Sequence, residues 1–211
     1  MSNQQEKTMS REGKTGSAVV LKDNELKRVY KTILGASSGQ ISRNYLIVVL
    51  SHLCGLRSKE LASLAVKDVW DGEKIKDVLR LIASYTKGNK HRDIPLSNKK
   101  VRDAIQKHIV NEMETTGSEL KPTAPLFRSQ KGGFFTANSM VHLIKKIYSD
   151  AGLSTASSHS GRRKFATTLI ESGADINCVK VLMGHSSIQT TARYFSTNPD
   201  RLANLMTNLE M

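Results

Sequence analysis

Residues 66–96 read VKDVWDGEKIKDVLRLIASYTKGNKHRDIPL, and this stretch decides the fold because it interrupts an otherwise helical chain. Within it the apolar period shortens toward two. Val66 to Trp70 reads as a strand, and Asp71-Gly72 is a turn signal. Val78 to Tyr85 reads as a second strand, and His91 to Leu96 as a third with Pro95 near its end. Gly88-Asn89 sits at the hairpin between the last two. Three short strands with tight turns make one small antiparallel sheet.

On both sides of this stretch the pattern is helical. Before it, Leu26, Val29, Tyr30, Ile33 and Leu34 share one helix face, which Gly35 and Ser37-Ser38-Gly39 end. Ile41 to Cys54 forms a more apolar helix, and its run Leu46-Ile47-Val48-Val49-Leu50 marks a buried central element. Gly55 stops that helix, and a short one restarts near Ser58. After the sheet, Val101, Ile105, Ile109 and Met113 mark a helix, and residues 121–135 read as a loop. Met140, Leu143, Ile144 and Ile147 mark another helix, ended at Gly152. Three short helices follow, then an amphipathic segment with Leu202, Leu205, Met206 and Leu209. The expected fold is mainly α with a small three-stranded antiparallel sheet, an α+β domain over residues 21–211. Residues 1–20 are polar and read as a disordered arm or linker.

A chain of 211 residues, 38% of them hydrophobic, can bury one core. Lys and Arg number 32 against 19 Asp and Glu, a formal charge of +13. That excess points to a polyanion such as DNA, bound more weakly as salt rises. Charge alone also suits an ordinary basic protein. Cys54 and Cys178 fit no ligand or redox spacing and read as reduced, buried thiols of a cytosolic protein. No apolar run is long enough to span a bilayer, and the N-terminus lacks an apolar signal core.

Six residues carry candidate chemistry. A reacting phosphodiester concentrates charge on its non-bridging oxygens, and the planar guanidinium fork matches them best. Arg57 opens a helix after Gly55, and Arg162 stands three residues after His159 on a helix start. Each alone is more often a solvated surface residue. Lys87 lies on the hairpin, where a lysine also serves simply to protect a sheet edge. His185 follows Gly184 and suits either a phosphate donor or a helix cap. Tyr194, nine positions later, is by itself as ordinary as any core tyrosine. A phenol with a pKa near 10 needs a base or cationic surroundings to attack phosphate at neutral pH.

Taken together, Gly55-Leu56-Arg57-Ser58-Lys59-Glu60-Leu61, Lys87-Gly88-Asn89-Lys90, His159-Ser160-Gly161-Arg162-Arg163, Leu182-Met183-Gly184-His185-Ser186 and the closing Tyr194 resemble the tyrosine recombinases, or phage integrases. The resemblance runs from about Leu21 to the end. It implies the catalytic-domain fold of that family and a site-specific recombinase acting on double-stranded DNA through a 3′-phosphotyrosine. Tyr194 would be the nucleophile, Arg57 and Arg162 the phosphate clamp, and Lys87 the general acid for the 5′ oxygen. His159 would take or return the tyrosine proton, His185 would hydrogen-bond the phosphate, and Glu60 would orient the first arginine. No cofactor is implied, because bond energy is kept in the phosphotyrosine and neither ATP nor metal is needed. The resemblance also implies a homo-oligomer, tetrameric on DNA and monomeric or dimeric when free, with no membrane and a cytoplasmic location.

Three departures stand out. Gly161 replaces the apolar residue usual before the second arginine, which should loosen the helix start. Arg163 stands where the family often has a histidine. The N-terminal core-binding domain of the family is absent from this sequence, as in a minimal recombinase or the catalytic portion of a longer protein. Competing readings are a type IB topoisomerase-like enzyme and a non-catalytic DNA-binding regulator on the same fold. A histidine-based phosphatase would leave Arg57, Lys87 and Tyr194 without a shared purpose.

Overall fold

A computed structural model of the chain describes residues 18–85, 91–194 and 207. Lys87 and the C-terminal amphipathic segment beyond Tyr194, Thr207 apart, lie outside the described residues, as does the arm up to residue 17.

Helix α2, Ile41–Leu53, is the axis of the domain. Its run from Leu46 to Leu50 is buried on every side, as the unbroken apolar stretch predicts. Around it pack α1 (Asp23–Leu34), α5 (Lys99–Thr116), α6 (Ala137–Asp150) and α7 (Ser160–Glu171). Helix α1 buries Val29, Tyr30 and Ile33, while Leu34 at its last position is exposed. Local chemistry sets the helix ends. The Asn98 side chain accepts from the N–H groups of Lys100 at 3.0 Å and Val101 at 3.3 Å, starting α5. Thr136 and Ser139 exchange backbone-to-hydroxyl bonds at the start of α6.

Between α2 and α5 come two short helices, α3 (Ser58–Ser63) and α4 (Val66–Val69), and the sheet. The segment expected as a first strand is therefore helical. Asp68 accepts from the Ala65 N–H at 2.8 Å, which closes a helical turn, and only Trp70 reaches strand pairing, in a single bridge to Ile75. Among the described residues the sheet has two strands, β1 (Val78–Leu81) and β2 (Arg92–Pro95), paired antiparallel. The strand expected to run on to Tyr85 instead ends in a 3-10 turn over Ala83–Tyr85. Side chains alternate as the pleat requires. Leu79, Leu81, Arg92 and Ile94 face inward, and Arg80 and Asp93 pair outside at 3.0 Å.

The chain closes with α8 (Ile176–Met183) and α9 (Ile188–Ala192). With α7 they enclose a small second core of Phe165, Ala166, Ile170, Val179 and Met183, against which Tyr194 packs. Cys54 is buried as expected, but Cys178 is exposed, because α8 turns Val179 and Met183 inward and leaves position 178 facing out. No helix among the described residues is long and apolar enough to cross a membrane.

Candidate active site

The end of α8 is the focus of the site. Gly184 adopts a left-handed φ of 58°, which favours glycine, and completes a helix stop. In that stop the His185 N–H bonds the Lys180 carbonyl at 3.1 Å and the Gly184 N–H bonds the Val181 carbonyl at 2.9 Å. The Met183 carbonyl points out of the helix and must find donors elsewhere. It finds three arginines. Arg92 Nη1 donates to it at 2.7 Å, Arg57 Nη2 at 3.4 Å, and Arg162 Nη2 also bonds it. The negative end of the α8 dipole favours this gathering of cations.

Two of these arginines share a buried carboxylate. Glu60 is fully buried one turn into α3. Its Oε2 accepts from the Arg57 N–H at 2.7 Å and from Arg92 Nη2 at 2.8 Å, and its Oε1 accepts from Arg57 Nη1 at 2.8 Å. Arg57, the residue that caps α3, keeps a partly exposed side chain. Three guanidiniums against one carboxylate leave net positive charge in a water-poor place, where it acts strongly on an anion.

Helix α7 delivers Arg162. Its Nη1 also donates to the Gly55 carbonyl, so this buried arginine ties α7 both to the end of α2 and to α8. Burial, with Arg57 and Arg92 nearby, pulls the Arg162 pKa down to about 9, which still leaves it charged at neutral pH. Gly161 makes the close approach possible. A Cβ there would lie 2.2 Å from Ser51 Oγ and 2.8 Å from His52 Nδ1 on α2. The glycine thus permits the close packing of α7 on α2.

His159 stands at the N-cap position of α7 and is exposed. Partial desolvation lowers its pKa from the usual imidazole value, and the charges of Arg162 and Arg57 lower it further, which favours the neutral ring. His185 sits beyond the α8 stop with Nδ1 2.9 Å from the hydroxyl of buried Thr191. Burial, Arg162, Arg57 and Arg92 together push its pKa down to about 4. Its ring stacks on Tyr194 with centroids 6.0 Å apart and planes within 9°. The Arg163 guanidinium stands 5.9 Å from the centroid of the same phenol ring, and its Nη1 also bonds the Ala18 carbonyl.

Five of the six sequence candidates are therefore described, and they converge. Arg57 and Arg162 meet at one carbonyl, His159 and His185 both feel their charge, and Tyr194 lies against His185. Lys87, the sixth, is outside the described residues. Sequence reasoning missed Arg92 and Thr191. Arg92 follows Lys90 and His91 in sequence and is buried in the cluster. Its signal was the strand pattern Arg92-x-Ile94-x-Leu96, which puts an arginine on the apolar face. Beside the cluster runs an open cleft lined by Arg80, His91, Arg92, Asp93, Lys180 and His185.

The phage integrase family model matches residues 20–201. The tyrosine recombinase XerC of Pelobacter propionicus is 32% identical over 161 residues, covering 76% of this chain and 49% of the relative. The tyrosine recombinase XerD of Corynebacterium glutamicum is 35% identical over 161 residues, 76% of this chain and 50% of its own length. The chain spans about half the length of these curated relatives. Among solved structures, the Tn1549 transposon integrase in complex with a circular intermediate DNA superposes with a TM-score of 0.70 at 23% identity. That likeness covers 94% of this chain and 68% of the integrase and carries the fold alone.

Proposed function

The chain belongs to the phage integrase family, and from that premise we propose that it is a site-specific DNA recombinase working through a 3′-phosphotyrosine. The observation that carries the reading is the joint placement of Arg57 and Arg162 on the Met183 carbonyl with His185 stacked on Tyr194 beside them.

In this reading Tyr194 Oη attacks the scissile phosphorus, an Oη–P bond forms, and the P–O5′ bond breaks. Arg57 and Arg162 hold the non-bridging oxygens. Each bonded Nη of a guanidinium carries a second N–H, so the protein contacts leave donors for phosphate. Neutral His159 accepts the phenol proton, and Lys87 gives a proton to the departing 5′ oxygen. The Thr191 hydroxyl lies 2.9 Å from His185 Nδ1; the recombinase reading requires it to donate there, which places the ring proton on Nε2 for the phosphate. A 5′ hydroxyl from another strand reverses the step. One phosphoester replaces another, so no external energy source enters the balance.

The partner is double-stranded DNA. The charge of +13 favours it, and the XerC and XerD relatives are named as recombinases. Two strands must be exchanged, which calls for a homo-oligomer on DNA. Work on DNA carries with it a cytoplasmic location. Residues 21–211 would form the catalytic domain, and residues before them an arm.

The test is a pool of nicked duplexes of randomised sequence, in which cleavage beside the nick sheds a short 5′-hydroxyl strand and traps the covalent product. The chain should yield an SDS-resistant adduct whose peptide map ends on Tyr194. Tyr194→Phe should bind the same DNA and form none. Absence of any adduct, or an undiminished adduct with the phenylalanine variant, refutes the reading.

A further inference from the structure

We propose that Arg92 is a positioning residue for strand cleavage: it fixes Arg57 through Glu60 and fixes the turn bearing His185 through the Met183 carbonyl. The proposal rests on the DNA-cleaving reading above. Arg92 opens β2 and lies across from Leu81 on the inward face of the hairpin. Its side chain is 4% exposed, and its bonds go to protein. One Nη bonds Glu60 at 2.8 Å and the other bonds Met183 at 2.7 Å. The stem lies against Gly184, where a Cβ would come within 2.9 Å of Arg92 Cδ.

Arg92 thus bolts the hairpin onto both halves of the site. Lys87 stands five residues before Arg92 in the sequence. Stability gives no reason for an arginine here. Leu81, Ile94 and Leu96 already make an apolar face, and an apolar residue at position 92 would complete it without desolvating a charge. The Arg92 Nε is buried and has no partner among the described residues, a further cost of placing a guanidinium there. Such an expense is understandable if the bonds hold Arg57 and His185 in register. A displacement of about 1 Å in a catalytic group costs on the order of 100-fold in rate.

The experiment compares the parent chain, R92M and R92K on a duplex recovered by the parent. Thermal midpoint, affinity for the intact duplex and the single-turnover rate of adduct formation are measured. R92M should fold, bind within about threefold of the parent and cleave about 100-fold slower. R92K should cleave at an intermediate rate, since a single ammonium lacks the fork that spans Glu60 and Met183. In an E60Q background R92M should slow cleavage by less than it does in the parent, because the Glu60 arm is already lost while the Met183 arm remains. R92M or R92K at the parent rate overturns the proposal, and so does loss of folding in both. Equal losses of affinity and rate also overturn it. A parent chain that forms no adduct overturns the recombinase reading and this proposal with it. A parent adduct that R92M leaves undiminished overturns this proposal alone.

Discussion

Replacing Gly161 with alanine should loosen the joint between α7 and α2, and the structure sets the size of the effect. The added Cβ would lie 2.2 Å from Ser51 Oγ and 2.8 and 2.9 Å from His52 Nδ1 and Cε1. His52 cannot simply step aside, since its Nδ1 is bonded to the Val48 carbonyl at 2.9 Å and its ring is buried. Helix α7 must therefore move. Overpacking of this kind costs about 1–3 kcal/mol. Against it stands a gain of about 1 kcal/mol, because alanine favours a helix over glycine. Because His52 is held by its own bond, the overpacking cost lies at about 2–3 kcal/mol, in the upper part of its range, so the net loss is about 1–2 kcal/mol, a fall in Tm of roughly 2–8 °C for a domain of this size. Ser51→Ala separates the terms. Ser51 Oγ is buried with no hydrogen-bond partner among the described residues, so its removal alone should be nearly neutral. In Gly161→Ala/Ser51→Ala the worst contact is gone, and about half the loss should return, a coupling of about 0.5–1 kcal/mol. Thermal and urea unfolding followed by circular dichroism measure both. A Gly161→Ala chain as stable as its parent, or additive single and double variants, would refute the packing argument. Arg162 is the next residue, so adduct formation should fall further than stability alone explains.

Acid should destabilise the fold. Burial holds His52 at about 4 and, with Arg162, Arg57 and Arg92, holds His185 at about 4, whereas both take a proton near 6.5 when unfolded. Between those values the unfolded chain binds more protons, so stability falls as pH drops from about 6.5 toward 4. Tm measured from pH 7.5 to 4.5 should decline over that window, and His52→Gln should flatten the decline; an unchanged slope in that variant would exclude His52 as a cause. Iodoacetamide should label Cys178 in the folded chain while Cys54, buried with its thiol pushed up to about 12, reacts only after unfolding. Equal labelling of both thiols in the native state would contradict this burial. Thr191→Val removes the Nδ1 partner of His185 and should slow adduct formation about tenfold with DNA affinity kept; an unaltered rate would show that the ring needs no such support.

How much could be read before folding depends on the range of each interaction. Helix α2 and the hairpin were readable because burial periodicity is written within a few residues, in Leu46 to Leu50 and in the alternation around Ile94. Residues 66–69 were misread for the same reason. Four residues hold barely one helical turn, and the choice between helix and strand turned on a bond from the Ala65 N–H to Asp68. Cys178 shows the limit in another form. Its apolar neighbours predict burial, but which side of α8 faces the second core is set by what α7 brings against it.

The sequence by itself determined the longer helices, their stops, the pairing of the two described strands and the order of Arg57, Lys87, His159, Arg162, His185 and Tyr194 along the chain. Tertiary structure alone decided that Met183 offers its carbonyl to three arginines, that Arg92 is one of them, and that Gly161 must be small. Those contacts join residues 126, 91 and 107 positions apart, in Arg57 to Met183, Arg92 to Met183 and Arg162 to Gly55. Caps and periodicity are settled by neighbours within a turn or two. The partner of a long cationic side chain is settled by which distant backbone the packed core brings within reach, and no local pattern encodes that.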